Sequence, residues 1–343
     1  MKVLFIPSSG TKGSGETLNA FQIFAFLKKK YPSLESKIFL HELSPFIESS
    51  PISVITAINT PTRCDDKVIP LIEQFKPNIT FFLGAGSKKQ IKISKCIGSI
   101  NIFISFSENL RNRGLRLGRI QHIDLHIVDQ YHFLLENLTF LEKIKTYVWE
   151  KAKPKYWGPI FNLPTESDIQ KTLSKYNLKS SEFILVSVGS GAECDLNGEN
   201  YSTLIFNSLK NAGLKYPIIQ SFGKAYPNDL PKSTEKHFCM NYFEPSEFIC
   251  LMKTAKLIVT NGGGSLLQAI SLNKTSLTCP MVDDQFKRVK ICASLNLTEQ
   301  YEPTNITEQI NKNLNTPASE NPVENLNPSA LNRLNAFIEK VLE

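Results

Sequence analysis

Residues 257–270 read L-I-V-T-N-G-G-G-S-L-L-Q-A-I. The apolar run Leu257-Ile258-Val259 leads into three glycines, Gly262, Gly263 and Gly264, and a helical pattern begins directly after them. Glycine loses more conformational freedom on folding than any other residue, so three at a strand-to-helix junction mark a close approach to the backbone. An apolar strand that passes into a helix through such an elbow is the repeating step of a parallel α/β sheet.

The same step recurs on either side. In the first half, strand patterns cover Val3–Ile6, Lys37–Leu40, Ile79–Leu83, Ile102–Phe106 and Leu125–Val128, with amphipathic segments such as Thr17–Lys30 and Lys67–Phe75 between them. After a Pro- and Lys-rich join at residues 151–159 the alternation restarts, with Phe183–Val188, Pro217–Ser221, His237–Tyr242, Leu257–Val259 and Ser276–Cys279. Almost wholly apolar strands separated by helices indicate parallel sheets covered on both faces. The expected architecture is two doubly wound α/β domains, residues 1–157 and 158–325, with the site in the cleft between them. Residues 304–328 are rich in Asn, Pro, Thr and Glu and read as an irregular connector. Leu331, Leu334, Phe337, Ile338 and Val341 then recur at helical spacing, which predicts a closing helix within residues 326–343.

Bulk properties narrow the classes. The 343 residues are 41% hydrophobic and 21% charged, as in an ordinary globular protein with a full core. No apolar run reaches the ~18 residues of a membrane span. The first ten residues read as a strand rather than a signal peptide, so cytoplasmic residence is the default. The seven cysteines form no C-x-x-C pair and read as reduced thiols. His122, His126 and His132 lie close in sequence, but no Cys, Asp or Glu pattern completes a metal site, so no metal is expected. The formal charge of +7 suits an anionic substrate, an anionic membrane or nucleic acid. With no nucleic-acid-binding motif present, nucleic acid is the least favoured of the three.

Four strand-to-helix elbows carry small residues: residues 8–16 with Gly10, Gly13, Ser14 and Gly15; Gly84 to Ser87; Gly189-Ser190-Gly191; and Gly262 to Ser265. The first lacks the G-x-G-x-x-G spacing, and Leu40 is followed by His41 rather than an acid, which argues against a dinucleotide site. No G-K-[S/T] occurs, so it is not a Walker loop either. Each elbow offers free amides at a helix N-terminus, which attracts anions; each also suits a tight turn with a packing role alone. The third and fourth lie in one predicted domain, where neighbouring strand ends can hold one diphosphate from two sides.

The fourth elbow has a continuation: an apolar strand ending in Pro280, then Asp284-Gln285 and a helical pattern over Phe286–Leu295. The whole block over residues 255–297 resembles the donor-binding signature of GT-B glycosyltransferases. It is most similar to the MurG-like family, which contains the peptidoglycan N-acetylglucosaminyltransferase. The resemblance extends weakly along the chain, through the loop with Gly13 and Gly15, the strand ending at Gly84, the segment Glu108 to Gly114, and Trp157-Gly158-Pro159 at the crossover.

That resemblance implies a sugar donor, a UDP-hexose or UDP-N-acetylhexosamine, held by the second domain without a metal or cofactor. Ser190, Gly191, Gly263, Gly264 and Ser265 would face the diphosphate, Tyr242 and Phe243 the base, and Asp284 and Gln285 the sugar hydroxyls. Gln268 stands where the family has a ribose-binding Glu. On the acceptor side are Gly13, Ser14, Gly15 and Asn109. The family's catalytic His is replaced here by Glu16, a carboxylate that desolvation would tune as a base. Alternatively Glu16 only favours the first turn of the following helix, and Glu108 is the second candidate base. The family's arginine after the crossover has no counterpart in Phe161 to Pro164.

Arg111, Arg113, Arg116 and Arg119, with Lys28 to Lys30 and nearby aromatics, would form a basic and apolar face against the membrane holding a lipid-linked or glycan acceptor; a solvated basic surface is the alternative. The expected function is inverting sugar transfer in cell-envelope glycan synthesis, at the inner face of the membrane. A nucleotide-sugar hydrolase and a non-catalytic or partner-dependent sugar-nucleotide-binding subunit remain the rival classes.

Overall fold

The computed structural model of the chain describes residues 1–8, 15–195, 197–315 and 330–342, and the backbone alone at Asp284. Two compact units emerge: Met1–Phe161 together with Ser329–Glu343, and Asn162–Pro328.

The first unit is built on strands β1 (Lys2–Pro7), β2 (Glu35–His41), β3 (Ser53–Ala57), β4 (Ile79–Leu83), β5 (Ile100–Ser105), β6 (Leu125–Val128) and β7 (Lys155–Tyr156). Their order is β3-β2-β1-β4-β5-β6-β7, parallel throughout. Helices α1 (Gly15–Lys30), α2 (Asp65–Phe75), α3 (Lys88–Cys96), α4 (Glu108–Gly114) and α5 (Phe140–Val148) belong to this unit. The second unit carries β8 (Ile184–Ser187), β9 (Ile218–Ser221), β10 (His237–Met240), β11 (Leu257–Asn261), β12 (Ser276–Cys279) and β13 (Glu299–Gln300), in the parallel order β10-β9-β8-β11-β12-β13. Its helices are α6 (Glu166–Lys175), α7 (Tyr201–Leu209), α8 (Pro245–Thr254), α9 (Gly264–Ser271), α10 (Asp283–Ser294) and α11 (Ile306–Asn315).

Central strands β4, β8, β11 and β12 are buried along their whole length, which is why they read as apolar runs without alternation. Phe5 stacks on Phe81 at 5.1 Å between ring centroids across β1 and β4. The order of each sheet reverses once, between β1 and β4 and between β8 and β11. Such switch points leave a crevice outside the carboxyl ends of the strands, and that is where α/β sheets bind ligands.

Some elements differ from the sequence expectation. β5 begins at Ile100 rather than Ile102, because Asn101 is buried by bonding rather than excluded by polarity. Its side-chain amide donates to Ile91 O and His122 O and accepts from Ser94 Oγ. The expected connector 304–328 contains α11, with Ile306 and Ile310 buried one turn apart. Its Asn-rich composition hides that spacing. The last helix, α12 (Ala330–Leu342), packs on the first unit through Leu331, Leu334 and Ile338. There Asn335 Oδ1 accepts from Tyr31 Oη, and Arg333 Nη2 donates to Trp157 O.

Candidate functional site

At the switch point of the second unit, Ser187 of β8 lies opposite Thr260 of β11. The elbows Gly189 to Gly191 and Gly262 to Gly264 therefore leave adjacent strand ends. Gly189 has φ +111° and Gly191 φ +95°, conformations that a side chain would strain. Close approach adds a second reason at Gly191, where a Cβ would meet Phe222 O at 2.3 Å. The turn that results points its amides at one carboxylate. Ser190 N and Gly191 N donate to Glu193 Oε1 and Oε2 at 3.4 and 3.1 Å, and Ser190 Oγ donates to Oε1 at 2.9 Å. A Cβ added at Gly189 would lie 3.1 Å from Glu193 Oε2 and 2.9 Å from Asn261 Nδ2. Glu193 and Asn261 thus both crowd Gly189, which places the carboxylate beside the β11 elbow.

The β11 elbow is held in the same manner. Gly263 N donates to Asn261 Oδ1 at 3.2 Å, and Gly262 N to Gln285 Oε1 at 3.2 Å. Gln285 Oε1 also accepts from Met281 N at 3.0 Å, so this buried amide ties the elbow after β11 to the turn after β12. Arg288, one helical turn further along α10, donates from Nη1 to Gly262 O and brings a guanidinium to the elbow. Gly264 opens α9 with no heavy atom within 4 Å of a Cβ placed there. Ser265 and Gln268 follow on that helix, both half-buried.

The predicted diphosphate residues Ser190, Gly191, Gly263, Gly264 and Ser265 are therefore brought together at one switch point. Gln285 adjoins them with its oxygen turned to backbone donors. The side chain of Asp284 lies outside the described residues. Tyr242 and Phe243 follow β10, which lies beyond β9 in the sheet. Phe243 is buried and meets Tyr176 edge-on at 5.6 Å, a core role. Tyr242 is half-buried, with Lys224 Nζ 4.5 Å above its ring. Burial, with Glu244 adding, pushes the Tyr242 hydroxyl pKa up. Burial also pushes the Lys224 ammonium down, against the opposing pull of Glu244.

The first unit arranges its switch point differently. Gly13 and Ser14 lie outside the described residues. Gly15 opens α1 with open space around it, and Glu16 Oε1 accepts from Ser8 Oγ at 3.0 Å just past β1. A Cβ at Gly84, which directly follows β4 with φ +66°, would meet Ser8 Oγ at 2.9 Å and Leu110 Cδ1 at 3.0 Å. Arg113 Nη1 donates to Gly84 O at 3.0 Å. Ser8, Glu16, Gly84 and the inner face of α4 thus form one cluster. Glu108 sits in the first turn of α4, 4.0 Å from Arg111 Nη2, and Asn109 is exposed beside it.

One expectation is overturned here. Arg111 is 1% exposed, donates to Glu136 O and Tyr156 Oη, and cannot meet a membrane. The helix that carries it packs on β5, so the two-to-three-residue recurrence of arginines spans buried and exposed faces. His126 is another core residue: it meets Phe103 edge-on at 5.1 Å and bonds Ser105 Oγ through Nε2 at 3.1 Å. Burial holds its pKa down at about 3. Among the described residues no group of three His, Cys, Asp or Glu is placed to hold a metal ion.

Sequence reasoning missed Glu193, Asn261, Arg288 and Ser8. Asn261 was in view as the residue before the glycines. Arg288 falls at i+3 from Gln285 on one helix face, a spacing that could have marked it. Glu193 has no sequence signal beyond its nearness to Gly191.

No family model and no curated protein matches the sequence. Solved structures match along nearly its whole length. The glycosyltransferase VinC, in complex with dTDP, shares 12% identity over 99% of both chains with a TM-score of 0.64. LpCGTa, in complex with UDP, shares 12% identity over 99% of this chain and 98% of its own, with a TM-score of 0.62. A protein described as a UDP-N-acetylglucosamine 2-epimerase from Listeria monocytogenes shares 13% identity over 99% and 96%, with a TM-score of 0.58. At such identity the likeness is one of fold, and that fold is the GT-B pair of parallel-sheet α/β domains.

Proposed function

We propose that the chain is an inverting glycosyltransferase that moves a hexose or N-acetylhexosamine from a UDP-sugar to a glycan or lipid-linked acceptor of the cell envelope, as its MurG-like sequence pattern implies. One observation carries the donor half. At the β8/β11 switch point the amides of Ser190, Gly191, Gly262 and Gly263 are all held by side-chain oxygens, those of Glu193, Gln285 and Asn261. Side chains can turn away, so these donors are available for exchange onto phosphate oxygens. The N-terminus of α9 and the Arg288 guanidinium add positive potential beside them.

In the reaction the acceptor hydroxyl oxygen attacks the anomeric carbon, and the bond from that carbon to the phosphate oxygen breaks with its electron pair. Nucleoside diphosphate leaves onto the elbow amides, which stabilise the charge as it develops. The hydroxyl proton passes to a carboxylate base, for which Glu16 is our choice; Ser8 Oγ, bonded to it, holds the carboxylate at the end of β1. Neighbouring folds solved with UDP and dTDP support a pyrimidine nucleotide.

A thermal-shift panel of UDP-, dTDP-, GDP- and CDP-sugars tests this reading. A ligand at about 100 times its Kd stabilises the folded state by about 2.7 kcal/mol, and we expect the UDP-sugars to lead. No response to any nucleotide sugar would sink it. Rapid sugar release without acceptor would instead mark a hydrolase, and binding without turnover a partner-dependent subunit.

With Arg111 buried, we place membrane contact on α5. Phe140, Leu141, Ile144, Tyr147 and Val148 share one exposed face of that helix, with Phe140 77% and Tyr147 88% exposed. Its polar residues Glu142 and Thr146 are the buried ones, Glu142 because it closes a capping box with Thr139. An apolar face turned to solvent, with Lys143 and Lys145 on the same helix, suits the interfacial zone of an anionic bilayer. Among the described residues no helix is long and apolar enough to cross one. Sedimentation with phosphatidylglycerol vesicles, lost in Phe140→Ser/Tyr147→Ser, is the expected result; binding unchanged by those substitutions would remove α5 from this role.

A further inference from the structure

The loop after β9 is pressed against the elbow after β8. A Cβ at Gly223, which has φ +92°, would meet Ser190 O at 2.1 Å and Gly191 N at 2.5 Å, and one at Gly191 would meet Phe222 O at 2.3 Å. Two backbones cross there with no room for a side chain, so both need glycine. Ala225 N donates to Ser190 O at 2.9 Å, and Tyr226 N to Gly223 O at 3.1 Å, which closes a tight turn. Tyr226 Oη and Thr203 Oγ1 lie 2.8 Å apart and fix the far end of that turn to α7. Lys224 falls between the pinned Gly223 and Ala225, so its backbone is held beside the elbow.

The Lys224 side chain meets the neighbouring strand end. Gly223 N donates to Asn241 O at 2.8 Å, so the pairing of β9 with β10 continues past both strands and sets Lys224 beside Tyr242. Its Nζ stands 4.5 Å from the centroid of the Tyr242 ring. Both side chains are half-buried, and burial lowers the ammonium pKa, with Glu244 opposing it. The quadrupole of the ring holds a cation on its face, and this cation has three donors and no acceptor. Tyr242 leaves β10, two strands from β8 in the sheet. At about 4.8 Å per strand the ring stands about 10 Å from the elbow, which is the reach of a nucleoside from its own diphosphate.

We propose that Lys224 selects the base of the donor nucleotide: a uracil ring takes the place of the ammonium on Tyr242, and the displaced ammonium donates to the uracil O4 carbonyl. This assignment rests on the UDP-sugar reading and names the side chain that enforces it. Cytosine carries an amino group where uracil carries O4, so two donors would face each other and a desolvated ammonium would lose its partner. A site built around a committed hydrogen bond rejects the analogue that cannot make it far more strongly than a site that relies on shape. Stacking on Tyr242 is blind to the difference, because every base has a π face. Affinity and selectivity therefore fall to separate side chains, Tyr242 and Lys224.

Calorimetric titration of the full chain with UDP and CDP tests the assignment. The unmutated protein should prefer UDP by about tenfold or more, the range of one charge-assisted bond. Lys224→Gln, whose amide can donate or accept, should bring the two affinities together. Lys224→Glu should invert the preference, because a carboxylate accepts from the cytosine amino group. Its repulsion of the diphosphate weakens both nucleotides alike and cancels in the ratio. A probe that needs no variant is 4-thio-UDP, in which a weakly accepting sulfur replaces O4; it should bind the unmutated protein less tightly than UDP. The proposal is overturned if the ratio of UDP to CDP affinity is the same with Lys, Gln and Glu at position 224 while both nucleotides bind, or if 4-thio-UDP binds as well as UDP. Failure of the unmutated protein to bind either nucleotide would instead sink the donor reading, and this assignment with it.

Discussion

At the first unit's switch point Gly84 N donates to Ile104 O at 2.7 Å and Ser8 N to Leu83 O at 2.8 Å. At the second unit's, the amides of Ser190, Gly191, Gly262 and Gly263 donate to Glu193, Gln285 and Asn261. The strand order is shared, but the amides directly after β1 and β4 are fixed to strand carbonyls, whereas those of Ser190, Gly191, Gly262 and Gly263 go to side chains. Ser87 N, which donates to Gln90 Oε1 at 3.0 Å, is a side-chain case in the first unit as well. Backbone carbonyls inside a sheet cannot be exchanged for a ligand without breaking the ladder, whereas side-chain oxygens can. The first unit is left with a carboxylate and a hydroxyl at its strand ends, and the second with a nest of amides. Topology makes a crevice in both; hydrogen-bond allocation decides which one suits an anion.

Four experiments would break or sharpen this contrast. The largest effect belongs to Glu16→Gln, which should lower turnover by roughly 10²- to 10⁴-fold, the range of a lost general base. UDP-sugar affinity should hold, because the donor site we propose lies in the other unit. Near-normal rates would move the base elsewhere.

Next comes Gly191→Ala. A methyl group at φ +95°, 2.3 Å from a backbone oxygen, should cost about 3 kcal/mol and lower the melting temperature by roughly 6–12 °C in calorimetry. Gly264→Ala, in open space at the start of α9, should stay within about 0.5 kcal/mol. Equal effects would mean that the Gly189 to Gly191 elbow is not the rigid one.

Acid should then distinguish the units. Burial holds His126 at about 3 in the first sheet and His237 at about 4 in the second. Both values lie below the unfolded value of about 6.5. Between folded and unfolded pKa the unfolded chain binds more protons, so stability is full above about pH 6.5 and falls as pH drops toward those values. The first unit should keep losing stability to the lower pH. His126→Phe should flatten its melting temperature between pH 6.5 and 4, and an unchanged slope would refute the assignment.

The smallest expected change is in Glu193→Ala. Removing the resident carboxylate should raise UDP affinity about threefold to tenfold, comparable to one net hydrogen bond. A loss of affinity measured by calorimetry would show that Glu193 contacts the ligand rather than standing in its place.

Much of this was legible in the residues, for identifiable reasons. Ile79–Leu83 and Ser276–Cys279 are short apolar runs buried on both faces, and their limits match the strands residue for residue. The elbows at Gly84 and at Gly189 to Gly191 were visible because glycine suits their positive φ, and the one at Gly262 because a Cβ there would meet Val289 Cγ2 at 2.6 Å. Edge strand β3, half-exposed over Ser53 to Thr56, carries no such signal. Neither do the two-residue β7 and β13. Asn101 obscured the start of β5 because burial by hydrogen bonding leaves no trace in hydropathy. Glu193 was missed for a similar reason: which oxygen a loop amide finds depends on torsions four residues wide, not on composition. The arginine recurrence misled because Arg111 reaches inward to Glu136 and Tyr156, a partnership set by distant segments.

The return of α12 to the first unit has a consequence for biosynthesis. Met1–Phe161 leaves the ribosome first, yet Leu331, Leu334 and Ile338 reach it only after the whole second unit has been made. Until then the surface that receives them, including Tyr31 and Trp157, waits uncovered. The unit translated first is thus the one completed last, and a stop codon near residue 330 should injure the amino-terminal half of the protein rather than the half beside it.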